Sequence, residues 1–227
     1  MKKLIIFDLD NTFYEYDHAH NTALKSIFMN QNKFRSYPEF EIEYEDAKNI
    51  IHKNLGNNPS KHSKLIYFKE MFSSSLSTLD ILNLDRIYWE SFINSAVIDK
   101  NTINTLTSKK APGDAYFLFT NQNLHTQLNK ITKWSIDIFD TILASEEVGF
   151  EKPHKNFYKF VENAFAEISD PSYSMFAIGD SYVNDIEYWI NNYDAKAYLI
   201  NNKEENYQDS KRFIETNFSQ AIKDIFS

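Results

Sequence analysis

Cysteine is absent from the 227-residue chain, which excludes disulfides, zinc–thiolate centres and thiol catalysis. No apolar stretch is long enough for a transmembrane helix. Lys2 and Lys3 precede the run Leu4-Ile5-Ile6-Phe7, but that run stops at Asp8 and is too short for the core of a signal peptide. An excess of positive charge is also missing. With 24 basic and 32 acidic residues the net charge is −8, which argues against a nucleic-acid polymer or an anionic membrane as partner. Only four glycines occur, and neither a tandem repeat nor a low-complexity tail is evident. The setting these absences leave is a soluble, cytoplasmic protein, while the oligomeric state stays open.

What is present is globular: 42% apolar, 16% aromatic and 25% charged residues, enough to bury a substantial core. Five short apolar runs read as buried parallel strands: LIIF (4–7), YFLF (116–119), IFDTIL (138–143), MFAI (175–178) and AYLI (197–200). Helical periodicity separates the later runs, as in 153–166, where Pro153 has the character of a first helical residue. The gap between the first two runs is too long for one crossover and holds amphipathic segments at 17–31, 44–55, 63–72 and 84–97. The expected architecture is α/β: a Rossmann-like open parallel sheet built from 1–14 and 102–227, with an inserted α-helical subdomain at 15–101.

Polar residues follow the strands. Asp8, Asp10 and Thr12 come after the first run, Thr120 and Asn121 after the second, and Gly179, Asp180 and Asp185 after MFAI. An open parallel sheet binds ligands beyond the carboxyl ends of its strands, so these groups should converge there, joined by Lys152 of GFEKPH. Several carboxylates around one point are tolerable when they hold a hard divalent cation such as magnesium, which takes oxygen ligands and leaves positions for phosphate and water. The Thr120 hydroxyl and the Lys152 ammonium would then face a phosphoryl group. A carboxylate held against such an electrophile can attack it and form an acyl phosphate.

FDLDNT, the hydrophobic run ending in Thr120, EKP with Lys152, and GDSYVND together resemble the four motifs of the haloacid dehalogenase superfamily. The resemblance covers both ends of the chain and leaves the insert without residue-level correspondence. It implies Asp8 as nucleophile and magnesium ligand, and Asp10 as a ligand through its carbonyl whose side chain acts as acid and then base. It implies Thr12 as a support of the motif loop, Thr120, Asn121 and Lys152 as phosphate-binding, Asp180 as a further magnesium ligand, and Asp185 beside it as a ligand either directly or through water. The insert takes the place of the family's helical cap. Family members that cleave carbon–halogen bonds lack the second aspartate, so Asp10 favours phosphate chemistry. His154 after EKP, where relatives often carry Asp, marks a divergent member.

The expected function is therefore a magnesium-dependent phosphatase for a small phosphorylated metabolite, a nucleoside monophosphate or a sugar phosphate, with a slight preference for nucleotides. A phosphomutase using the same acyl phosphate and a non-catalytic binding protein keeping the fold are the alternatives. His18 and His20 form an H-x-H pair, but on a helix residues two apart do not share a face, so a metal site is not expected there. Tyr14, Tyr16 and His18, just past the first motif, are the candidates for contact with the substrate.

Overall fold

The computed structural model describes residues 1–72, 74–200 and 212–227. The strands are β1 Lys2–Phe7, β2 Ala115–Thr120, β3 Thr141–Ala144, β4 Tyr173–Gly179, β5 Lys196–Ile200 and β6 Phe213–Thr216. The helices are α1 Tyr16–Met29, α2 Tyr37–Leu55, α3 Lys64–Phe72, α4 Thr78–Ser95, α5 Lys100–Lys109, α6 Leu124–Trp134, α7 Ser145–Val148, α8 Lys155–Ala164, α9 Glu187–Tyr193 and α10 Phe218–Ile225. Short 3-10 turns occupy Pro59–His62 and Ala166–Ser169, and a π turn occupies Tyr182–Ile186. Among the described residues no helix is long and apolar enough to cross a membrane.

The strands form one parallel sheet in the order β3-β2-β1-β4-β5-β6. A fully parallel sheet is covered on both faces, which is why β1 and β2 read as unbroken apolar runs rather than alternating ones. The chain winds outward from β1 through β2 to β3, then restarts on the other side with β4. The topological switch point therefore lies between β1 and β4. Their register sets Phe7, the last residue of β1, beside both Leu118 and Ile178, so Asp8 follows β1 next to the last residues of β2 and β4. Leu4, Ile6, Phe117, Phe119, Phe157, Trp189 and Leu199 form part of one buried cluster against this sheet.

Three details depart from the sequence reading. β3 begins at Thr141, not at Ile138, because Asp140 ties this segment to β2 differently: its carboxylate accepts from the Tyr116 amide at 2.7 Å and its own amide donates to the Tyr116 carbonyl at 2.9 Å. β6 was not expected. It is a four-residue edge strand whose two central residues, Ile214 and Glu215, are exposed, so it carries no apolar run. Pro153 lies in a turn closed by the His154 amide on the Glu151 carbonyl at 2.8 Å, and α8 starts two residues later. His154 caps that helix, its Nδ1 accepting from the Asn156 amide at 3.2 Å, while its ring stacks on Phe150. An imidazole thus does the capping that Asp could also do here.

The chain divides into two compact units, Met1–Tyr14 with Val97–Ser227, and Glu15–Ala96. The division falls at 96/97, ahead of the 101/102 boundary suggested by the sequence, because α5, which starts at Lys100, packs with α10 of the larger unit. The smaller unit is helical. α1 packs on α4, and α3 packs on both α2 and α4. Its core is strongly aromatic, with Phe40, Tyr44, Tyr67, Phe68, Phe72, Tyr88 and Phe92 all buried. α2 starts earlier than its periodic stretch suggested, because Ser36 caps the Glu39 amide and Pro38 sits in the first turn, where its missing N–H costs nothing.

Candidate active site at the carboxyl edge of the sheet

Asp8 is the first residue past β1, and the ladder to β4 carries on through it: its amide donates to the Ile178 carbonyl at 2.9 Å. The chain then turns sharply, with the Thr12 and Phe13 amides both returning to the Leu9 carbonyl. Asn11 takes a left-handed conformation at φ 60°, which asparagine tolerates better than most residues. Thr12 is buried, and its hydroxyl has no hydrogen-bond partner among the described residues.

On the β4 side, Gly179 and the π turn place Asp185. Its Oδ2 accepts from the Ser181 amide at 3.0 Å, and its own amide donates to the Ser181 carbonyl at 2.8 Å. A side chain at 179 would collide with it, since a Cβ there would stand 2.2 Å from Asp185 Cβ. π turns are rare and concentrate at functional sites, because the extra residue re-aims a side chain. Here the re-aimed side chain is Asp185, and one carboxylate oxygen from each of Asp8, Asp180 and Asp185 lies within 4.8 Å of the others.

Lys152 stands against this group from the α7–α8 connection. Its Nζ donates to Asp8 Oδ1 at 2.9 Å, to Asp185 Oδ1 at 2.6 Å and to the Phe119 carbonyl at 2.6 Å. Asn121 fixes the backbone that carries it. Its side-chain amide donates to the Lys152 carbonyl and accepts from the Lys152 amide, both at 2.8 Å. The Asn121 side chain is therefore committed to shaping the lysine turn.

Charge in this cluster does not balance. Three carboxylates face one ammonium, and none is well hydrated. Burial, together with Asp185, Asp180 and Asp10, outweighs Lys152 and pushes the Asp8 carboxyl well above its ordinary range. Asp180 is pushed up to about 7 by burial and then by Asp185, against a hydrogen bond from Asn11 and the charge of Lys152. Lys152 is itself held above its ordinary value, because Asp185 and Asp8 overcome the effect of burial. Surplus negative charge on oxygen donors at close range suits a hard divalent cation, so the donor set fits magnesium.

The Asp10 side chain belongs to a different set of contacts. Oδ1 accepts from Lys130 Nζ at 2.6 Å and from the Tyr14 hydroxyl, and Oδ2 accepts from Gln127 Nε2 at 2.9 Å. Gln127 also donates to Thr120 Oγ1 at 2.7 Å. Burial alone would raise the Asp10 carboxyl, but the charge and hydrogen bond of Lys130, with Tyr14 and Gln127, hold it below its usual range. Lys130 and Gln127 were not anticipated from the sequence. Both lie on the buried side of α6, where a polar residue is normally assigned to solvent. Their spacing of three, close to one helical turn, on the helix that follows Thr120 was the available signal.

Of the substrate-contact candidates, Tyr14 is in the larger unit and spends its hydroxyl on Asp10, its ring lying edge-on to Trp134. Tyr16 and His18 open α1 of the smaller unit. There Tyr16 stacks on His20 and meets Phe92, while His18 is exposed. His20 is turned into its own unit, its Nδ1 sharing a 2.6 Å hydrogen bond with the Tyr88 hydroxyl.

The family model for haloacid dehalogenase-like hydrolases matches residues 2–188. Among curated proteins, the ribulose-1,5-bisphosphate 5-phosphatase of Halopiger xanaduensis is 28% identical over 162 residues, 67% of each chain. The glyceraldehyde 3-phosphate phosphatase of Methanocaldococcus jannaschii is 29% identical over 169 residues, 70% of this chain and 69% of the other. Among solved structures, the magnesium-bound HAD hydrolase YfnB of Bacillus subtilis superposes with a TM-score of 0.67 at 18% identity, covering 100% of this chain and 99% of that one. A 2-haloacid dehalogenase of Pseudomonas syringae superposes almost as well, with a TM-score of 0.65 at 17% identity and all of both chains covered. A dehalogenase shares this backbone, so the fold alone does not choose the reaction, and residues must. The chain belongs to the haloacid dehalogenase-like hydrolases.

Proposed function

We propose that this haloacid dehalogenase-like hydrolase is a magnesium-dependent phosphatase of small phosphorylated metabolites, with Asp8 as the nucleophile. The observation that carries the reading is the pairing of two aspartates with opposite surroundings. Asp8 stands among carboxylates with Lys152 on one oxygen, whereas Asp10, two residues on, is held by three donors at a separate point. A nucleophile and a proton carrier need this kind of division, and an enzyme cleaving carbon–halogen bonds has no use for the second group.

In the proposed reaction the free oxygen of Asp8 attacks phosphorus. Lys152 and Thr120, the one an ammonium and the other a hydroxyl, bind the non-bridging oxygens that all phosphate esters share. The donors around Asp10 hold it as a carboxylate in the free protein, so it takes up a proton from solvent as the negatively charged ester binds and gives it to the departing oxygen as the ester bond breaks. Water then attacks the acyl phosphate, passing a proton back to Asp10, and Asp8 is released as carboxylate. Asp8, Asp180 and Asp185, with the Asp10 carbonyl, would hold magnesium, which supplies positive charge against the phosphoryl oxygens.

Both named relatives act on phosphorylated sugars, which favours a sugar phosphate over a nucleotide as substrate. The insert enters the chain directly after the first motif, and we assign residues 15–96 the family's cap role of selecting the leaving group. The test is phosphate release from a panel of sugar phosphates and nucleoside monophosphates, with and without chelator, alongside denaturing capture of a phosphorylated chain. Phosphate release that requires magnesium, with capture lost in Asp8→Asn, is the expected result. Activity surviving exhaustive chelation overturns the metal assignment, and isomerised substrate without free phosphate means a mutase.

A further inference from the structure

Lys130 and Gln127 are fully buried polar side chains on a helix whose other inward residues, Ile131 and Trp134, are apolar. Packing alone would be served better by leucine or methionine at both positions, since a buried cation is stable only when paired. Their partner is one carboxyl group. Asp10 Oδ1 takes Lys130 and Tyr14, Oδ2 takes Gln127, and rotation of the carboxyl about its Cβ–Cγ bond would break contacts on both oxygens together. The Lys130 ammonium also lies 5.8 Å from the centre of the Tyr14 ring, which is backed by Trp134. Gln127 spans from Asp10 to the Thr120 hydroxyl, so one turn of α6 holds the proton carrier in register with a group assigned to the phosphoryl oxygens.

We propose that Lys130, Gln127 and Tyr14 are positioning residues that fix the Asp10 carboxyl group for proton exchange with the leaving oxygen. The inference rests on the phosphatase reading above. In the first step the Asp8 oxygen–phosphorus bond forms, the ester oxygen–phosphorus bond breaks, and the ester oxygen receives a proton that Asp10 has taken up from solvent on substrate binding. In the second step the water oxygen–phosphorus bond forms, the Asp8 oxygen–phosphorus bond breaks, and a water proton returns to Asp10. A carboxyl held by both its oxygens meets the departing atom in one orientation. Once the holding contacts are removed, it samples orientations that do not.

Leaving-group dependence separates this role from a merely structural one. An alkyl phosphate needs its departing oxygen protonated, whereas 4-nitrophenyl phosphate releases a stable anion and needs little help. For Lys130→Met and Gln127→Leu, kcat/KM on an alkyl phosphate such as glycerol phosphate should fall roughly 100-fold or more, the scale of general-acid catalysis. On 4-nitrophenyl phosphate the fall should stay below about tenfold, since only residual protonation is lost. Tyr14→Phe, which deletes a single hydroxyl and is the safeguard should Lys130→Met fail to fold, should shift the same ratio in the same direction. Lys130→Arg should recover part of it. Equal losses on the two esters, or no loss on the alkyl ester, would overturn the proposal. Wild-type protein that hydrolyses neither ester would instead mean that the phosphatase reading itself had failed.

Discussion

A methyl group at position 179 would stand 2.2 Å from Cβ and 2.5 Å from Cγ of Asp185, far inside van der Waals contact. Gly179 is therefore required by what lies across from it, not by its own backbone angles. Gly179→Ala should destabilise the protein by about 1–3 kcal/mol, the usual cost of forcing atoms into a packed site. It should also cut turnover, because Asp185 would lose its hold on Lys152 and the Ser181 amide. Thermal unfolding and phosphate release measured together check this, and a variant normal in both would show that the turn adapts freely. Asp8→Asn should lower turnover by roughly 10³-fold or more, as removal of an essential nucleophile does in enzymes that form a covalent intermediate. Without metal it should unfold no earlier than wild type, since the amide removes one member of a crowded group of carboxylates. A large loss of stability would mean that the Asp8 charge supports the fold.

Helix ends in the smaller unit are set by side chains that can be tested one at a time. α4 begins with a reciprocal cap: Ser77 Oγ accepts from the Asp80 amide at 3.2 Å, and Asp80 Oδ2 accepts from the Ser77 amide at 3.3 Å. This cap lets α4 start at Thr78, several residues before the apolar repeat that marks it in the sequence. Ser77→Ala should cost about 0.5–2 kcal/mol, the typical range for a lost cap. Denaturant titration measures it, and a value near zero would mean that packing of α4 on α1 fixes the helix start unaided. In the larger unit, α6 combines two tasks. Its apolar residues hold it in the fold, and its two buried polar residues hold Asp10.

At the scale of the molecule, the proposed magnesium should act on the larger unit, and a buried histidine makes the smaller one sensitive to acid. All four acidic residues assigned to magnesium lie in Met1–Tyr14 and Val97–Ser227. Magnesium at about 100 times its dissociation constant should add roughly 2.7 kcal/mol by mass action. Hydrogen exchange should show the added protection in peptides of the larger unit, and protection gained mainly within 15–96 would contradict the assignment. Protons act on the smaller unit through His20. Burial, then repulsion from Lys64 and Lys48, lowers its pKa from 6.5 to about 3 against the attraction of Asp17. The unfolded chain thus takes up a proton below pH 6.5 that the folded chain refuses. His20 leaves stability untouched above that pH and reduces it as the pH falls toward 3, by at most about 1.4 kcal/mol per pH unit. His20→Gln keeps a polar partner for Tyr88 without titrating, and it should flatten the acid side of the stability profile. Parallel acid limbs for the two proteins would place the sensitivity elsewhere.

The sequence by itself determined the sheet and the kind of chemistry at its edge. Long-range order was legible there because parallel strands buried on both faces must be apolar throughout, and because polar residues directly after such strands have one place to converge. Asp8, Thr120, Asp180 and Asp185 could be named for that reason, and Lys152 through the EKP motif it belongs to. Elements governed by local side-chain bonds were less legible. β6 carries no apolar run, and the starts of α2 and α4 depend on Ser36 and Ser77 rather than on periodicity. Tertiary structure alone decided what surrounds Asp10. Lys130 and Gln127 stand 120 and 117 residues away from it, and a polar residue on a helix looks solvated until the fold shows that its face is buried. Desolvation and the pairing it demands are properties of neighbours in space, and one-dimensional spacing does not record them.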